Sequence, residues 1–148
     1  MARIIGKGYS FDDVLIIPKY NKIFSRKDVS YKTRVTRNYS IDIPILAANM
    51  DTICESKMAI ALGNLGGLGV IHRFMTIEEQ VNEVKKVKEQ NLLTAAAIGV
   101  KDFEIRVAAL ANAGVDILVI DIAHGHSKRA GKVLDYLKEN YPKIDIIA

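Results

Sequence analysis

From Ile43 onward the chain repeats one unit, a short apolar run followed by a helix-patterned stretch, about every 25 residues. The runs are "IPILAA", "LGVIH", "TAAAIGV", "ILVID" and "IDIIA". They lack the apolar–polar alternation of a half-solvated sheet. Each is therefore expected to be a strand covered on both faces, as in a parallel sheet flanked by helices. A first helix is expected with apolar positions Met58, Ala61, Leu62 and Leu65, stopping at Gly66 and Gly67. A second carries Ile77, Val81, Val84 and Val87, and a third carries Val107, Leu110 and Ala111 before Gly114. A fourth carries Val133, Leu134, Leu137 and Tyr141 and is halted by Pro142. Thr52 with Glu55, and Thr76 with Glu79, have the spacing of capping boxes, and Ser127 can cap the fourth helix.

Both a doubly wound sheet and a (β/α)8 TIM barrel satisfy this beat, and its evenness favours the barrel. A barrel typically needs about 250 residues. With 148 residues, the chain reads as about the first five βα strands of one. Residues 1–42 read as a lead-in that covers something, with "VLII" as a strand ended by Pro18. Residues 43–148 read as the first half of the barrel. A half barrel leaves apolar edges open, so the expectation is a portion of a longer protein, or a chain closed by a partner. "VKEQNLLTAAAIG" passes from helix to strand with no room for an inserted regulatory domain.

Composition narrows the class further. The chain is 49% hydrophobic and 26% charged, the profile of a globular domain. No apolar run is long enough for a membrane span, and the N-terminus has no secretory pattern. A single cysteine, Cys54, makes no internal disulfide, so a cytoplasmic setting is expected. The net charge of +4 comes from lysines interleaved with glutamates, as in "VNEVKKVKEQ". No aromatic and basic interleaving is present, so nucleic acid is not an expected partner.

Ligands of parallel α/β folds sit at the carboxyl ends of the strands. That selects Asn49, Met50 and Asp51; His72 and Arg73; Gly99, Val100 and Lys101; and the stretch from Asp121 to Ser127. A carboxylate such as Asp121 can accept two hydrogen bonds from a ribose diol; it can also merely cap its loop. His72, His124 and His126 with Asp121 have the chemistry of a zinc or iron site, although the glycine between the last two histidines suggests a turn. Arg73 is a candidate anion anchor or a plain surface arginine. "GNLGGLG" follows a helix and opens a strand, the reverse of a dinucleotide loop, and is read as helix stop and close packing. Cys54, in the first turn of a helix, is read as a small buried residue rather than a nucleophile.

Four segments, "YSFDDVLIIPKY", "IPILAANMDT", "GGLGVIHRFMTIEEQ" and "VDILVIDIAHGHS", together resemble the N-terminal part of the IMP dehydrogenase and GMP reductase family. The resemblance implies a (β/α)8 barrel, usually a homotetramer, that binds a purine nucleoside monophosphate and a nicotinamide cofactor. It implies that Asp121, Ile122 and Ala123 hold the nicotinamide riboside and that Arg73 matches a basic residue that contacts the cofactor in the reductases. Ser25 and Arg26 resemble the pair that, in the reductases, reaches the cofactor of a neighbouring subunit. Ala48 and Met50 fall where the family lines the nucleotide's base and ribose. No metal is implied. The family's nucleophilic cysteine lies after the sixth strand, beyond this chain, so no residue here is assigned as catalytic. The reading adopted is NAD-dependent oxidation of IMP to XMP. The alternative is a GMP reductase using NADPH; alternatives of another class are a metal-dependent barrel hydrolase and a non-enzymatic half barrel.

Overall fold

A computed structural model describes residues 5–148. Its centre is a parallel sheet of strands β3 (Leu46–Ala47), β4 (Leu68–Ile71), β5 (Ala95–Ile98), β6 (Ile117–Ile120) and β7 (Asp145–Ile147). The strands lie side by side in chain order. A doubly wound sheet reverses direction at a switch point, and these five strands do not, so the arrangement is compatible with part of a barrel wall. Helices α1 (Ser56–Asn64), α2 (Ile77–Glu89), α3 (Phe103–Asn112) and α4 (Lys128–Asn140) fill the connections.

The two faces of the sheet carry separate apolar clusters, as the two-residue period of a strand requires. Ile71, Ala96, Ile98, Leu118 and Ile120 face the helices and pack with Val84, Val87, Val107, Leu110, Val133 and Leu137. Leu68, Val70, Ala95, Ala97 and Ile117 form the opposite face. Register keeps the faces continuous: Val70 pairs with Ala95, and Ala95 with Ile117. That second face is covered by an antiparallel pair, β1 (Thr33–Arg34) and β2 (Ser40–Ile41), through Ile41, Val35 and Tyr39. Asp145, buried at the start of β7, anchors the connecting loop by accepting from Thr36 Oγ1 (2.6 Å), the Asn38 amide (2.8 Å) and Asn38 Nδ2 (2.7 Å). The hairpin thus occupies the amino-terminal end of the sheet and leaves the carboxyl ends open.

Two expectations fail. "VLII" forms no strand; residues 14–17 are exposed, with no ladder partner among the described residues. The capping box at Thr52 and Glu55 does not form either. Residues 51–53 turn, with the Ile53 and Cys54 amides both donating to the Met50 carbonyl, and the helix starts at Ser56. Its first amide is capped from outside, by Glu83 Oε2 of α2 at 2.7 Å. The buried face also differs: Ser56 and Ala59 are inside, while Met58 and Leu65 are exposed. Close approach decided this. A Cβ on Gly69 would lie 2.5 Å from Ala59 Cα, so helix and strand meet through their smallest residues. By contrast, the Thr76–Glu79 capping box is complete, Ser127 caps α4, and Gly66 ends α1 with φ +88.

Candidate functional site

Three strand ends meet around Arg73. Arg73 follows β4 by two residues and sends Nε to Asp121 Oδ2 at 2.7 Å, across the intervening end of β5. The guanidinium passes over Gly99, which follows β5; a Cβ there would stand 3.5 Å from Arg73 Nη1, an ordinary van der Waals contact. Phe74 lies 4.8 Å from the same guanidinium, within cation–π range. Asp121 is held in turn by its own amide, which donates to Ile98 O at 2.8 Å and extends the parallel ladder one step beyond β6. Both side chains are about one-third exposed, 33% for Arg73 and 28% for Asp121, so the pair is anchored yet accessible. Oδ1 of Asp121 has no hydrogen-bond partner among the described residues.

Under this pair lies a polar layer. Gln80, on α2, is fully buried, and its Nε2 donates to His72 O (3.0 Å), just past β4, and Ala97 O (2.8 Å), in β5. Its Oε1 accepts from Arg106 Nη1 of α3 at 2.6 Å, and Arg106 Nη2 reaches Met75 O at 3.0 Å. Burial, then the nearby Arg73 charge, lower the Arg106 pKa, with Glu78 opposing. Neither Gln80 nor Arg106 is a candidate from sequence. A glutamine at an inward helical position beside valines was the available signal.

His72 is buried. Its Nδ1 accepts from the Phe74 amide (3.1 Å), which leaves Nε2 to face Glu55 Oε1 at 3.3 Å. With both ring nitrogens engaged, His72 does not join His124 and His126, which are exposed on the loop after β6. Among the described residues no group of three metal-ligating side chains comes together, so the four-residue metal site is corrected. Cys54 is buried, and desolvation, then Glu55, push its thiol up to about 11, which leaves it a poor nucleophile.

The remaining candidates scatter. Ile122 continues from Asp121 half-buried, and Ala123 is exposed beside it. Ala48 and Met50 are exposed after β3, with Asn49 half-buried between them. Ser25 and Arg26 lie in an exposed stretch, where Ser25 caps the short turn Arg26–Asp28. Lys101 is exposed in the turn before α3.

The sequence model of the IMP dehydrogenase / GMP reductase domain matches residues 8–148. The chain belongs to the IMP dehydrogenase / GMP reductase family. Within this family it is 36% identical to an inosine-5'-monophosphate dehydrogenase of Cryptosporidium parvum, over 97% of this chain and 46% of the relative. It is 55% identical to the corresponding enzyme of Nitrosopumilus maritimus, over 55% of this chain and 17% of that protein. It is 50% identical to a GMP reductase of Leishmania donovani, again over 55% of this chain and 17% of the relative. The chain thus spans at most about half the length of these relatives. Family members are oxidoreductases acting on purine nucleotides, and the family implies a nicotinamide cofactor.

Proposed function

We propose that these residues form the cofactor-binding side of an IMP dehydrogenase, which oxidises IMP to XMP with NAD+ on a completed (β/α)8 barrel. The observation that carries the reading is the Asp121 carboxylate, partly exposed just past the end of β6, with one oxygen held by Arg73 and the other without a partner among the described residues. A ribose diol needs such an acceptor, and a fixed carboxylate takes both hydroxyls without reorganising. The residues therefore fit a nicotinamide riboside. Arg73 keeps the carboxylate oriented, Ile122 flanks the sugar, and Ala123 leaves room beside it. When bound, the nicotinamide ring supplies the hydride acceptor.

Ala48 and Met50 would line the nucleotide's base and ribose from the end of β3. Ser25 and Arg26 would reach the cofactor of a neighbouring subunit in a tetramer. Cys54, buried and protonated, is not the nucleophile; that group would come from outside these residues. The dehydrogenase is preferred over the reductase because two relatives that align over 97% and 99% of the chain are both inosine-5'-monophosphate dehydrogenases. A GMP reductase remains the second reading, because the reductase relative is 50% identical where it aligns. The full-length protein, given IMP and NAD+, is expected to produce NADH and XMP. NADPH consumption with GMP, and none of the forward reaction, would assign the reductase instead; neither reaction would end the reading.

A further inference from the structure

Arg73 and Asp121 come from strand ends separated by β5, so something must hold three strands level for their side chains to meet at 2.7 Å. Backbone pairing does this within the strands, but it ends at their tips. Beyond the tips the connecting segment is His72 to Thr76, and its hydrogen bonds are unusual. One buried carboxamide, Gln80, binds the carbonyls of His72, just past the end of β4, and of Ala97, in the neighbouring strand β5. Arg106, from the next helix, holds the other end of that carboxamide and also the Met75 carbonyl. The segment bearing Arg73 is therefore fastened on both sides, at His72 and at Met75, by two side chains that themselves do not reach the open end of the sheet.

We propose that Gln80 and Arg106 are positioning residues for the Arg73–Asp121 pair, setting the height and aim of Arg73 and so the cofactor affinity of the site. The proposal rests on the cofactor-binding reading of that pair given above. The orientation of the amide supports it. Nε2 faces two carbonyls and Oε1 faces a guanidinium, so the carboxamide has one productive orientation. Charge adds to it, because two guanidinium groups lie close enough for Arg73 to disfavour the Arg106 charge. Asp121 neutralises one, and the Gln80 and Met75 carbonyl oxygens receive the other. Losing the Arg106 anchor leaves the buried Gln80 oxygen and the half-buried Met75 carbonyl without their donor, and the 73–75 segment is the part free to move in response.

The test uses the full-length protein with Arg106→Met, Arg106→Lys and Gln80→Glu. Arg106→Met is expected to raise KM for the nicotinamide cofactor about tenfold, while kcat and the KM of the purine nucleotide stay within about twofold. Arg106→Lys should recover part of the loss. Backbone amide exchange gives a readout independent of turnover. The Phe74 and Asp121 amides should exchange faster in Arg106→Met, and amides inside β6 should not. A folded Arg106→Met with unchanged cofactor KM and unchanged exchange overturns the proposal. So does faster exchange throughout β4–β6, which would mean general loss of stability. Localised exchange in a protein whose wild type turns over no nicotinamide nucleotide would uphold the positioning role and sink the cofactor reading instead. Should Arg106→Met not fold, Arg106→Lys and Gln80→Glu carry the same readouts and decide the proposal in the same way.

Discussion

Two buried titratable residues shift in opposite directions, because only one has hydrogen bonds to offset burial, and each makes a measurable difference. Cys54 has nothing to stabilise its thiolate: desolvation dominates, Glu55 adds repulsion, and the pKa rises to about 11. At mildly alkaline pH roughly one thiol in a thousand is ionised, against a sizeable fraction for a free cysteine. A disulfide reagent should therefore label the folded chain about a hundredfold more slowly than the urea-unfolded chain. Fast labelling of the folded state would refute that. For Asp145, burial also opposes the charge, but hydrogen bonds from Thr36 and Asn38, with help from Arg37, outweigh it and lower the pKa. A lowered folded-state pKa means that the unfolded chain takes up the proton first as pH falls. The stabilisation is thus complete above the ordinary aspartate value and is lost as pH drops through the folded one. Asp145→Asn should unfold about 1–3 kcal/mol more easily at neutral pH. Urea midpoints of variant and wild type should converge towards acid pH; parallel curves would show that Asp145 is not the titrating group.

At the scale of elements, what the sequence made legible depends on how local the cause was. Helix α2 could be read in its start and its apolar face, though not in its buried Gln80: Thr76 and Glu79 sit three residues apart, and Val84 and Val87 mark the buried face. Helix α1 could not. Its start is set by Glu83, 27 residues downstream, and its inward face by a contact between Ala59 and Gly69. Hydrophobic size pointed to Met58 and Leu65, whereas the geometry favoured the smallest side chains. The site divides in the same way. Arg73 and Asp121 were visible singly as residues after strands, but their pairing joins residues 48 apart across β5, and Gln80 with Arg106 depends on long-range hydrogen bonds. Gly69→Ala tests the α1 packing. A Cβ 2.5 Å from Ala59 Cα meets backbone and cannot be relieved by a rotamer change. The expected loss is about 1–3 kcal/mol in chemical denaturation. An Ala variant as stable as wild type would show that α1 is not seated on β4 as described.

For the molecule as a whole, the sheet and helices form one body from Thr33 onward, and the residues before it are of a different kind. Between Ile5 and Tyr31 lie Phe11, Leu15, Ile16 and Phe24, exposed by 96%, 95%, 96% and 100%. Side-chain hydrogen bonds there join residues no more than three apart, as between Ser10 and Asp13 or Ser25 and Asp28. Body residues, by contrast, are tied over long separations, such as Asn38 to Asp145. Local opening free energies should follow that division, near zero before Thr33 and close to the global value in β5 and β6. Brief trypsin treatment of the 148-residue chain should therefore cut first at Lys19, Lys22, Arg26 and Lys27, leaving α2 intact despite its exposed lysines. The trimmed body should keep its unfolding midpoint, because no core residue is lost. Mass spectrometry of the early fragments checks the order of cutting, and cleavage within α2 at the same rate would refute the division.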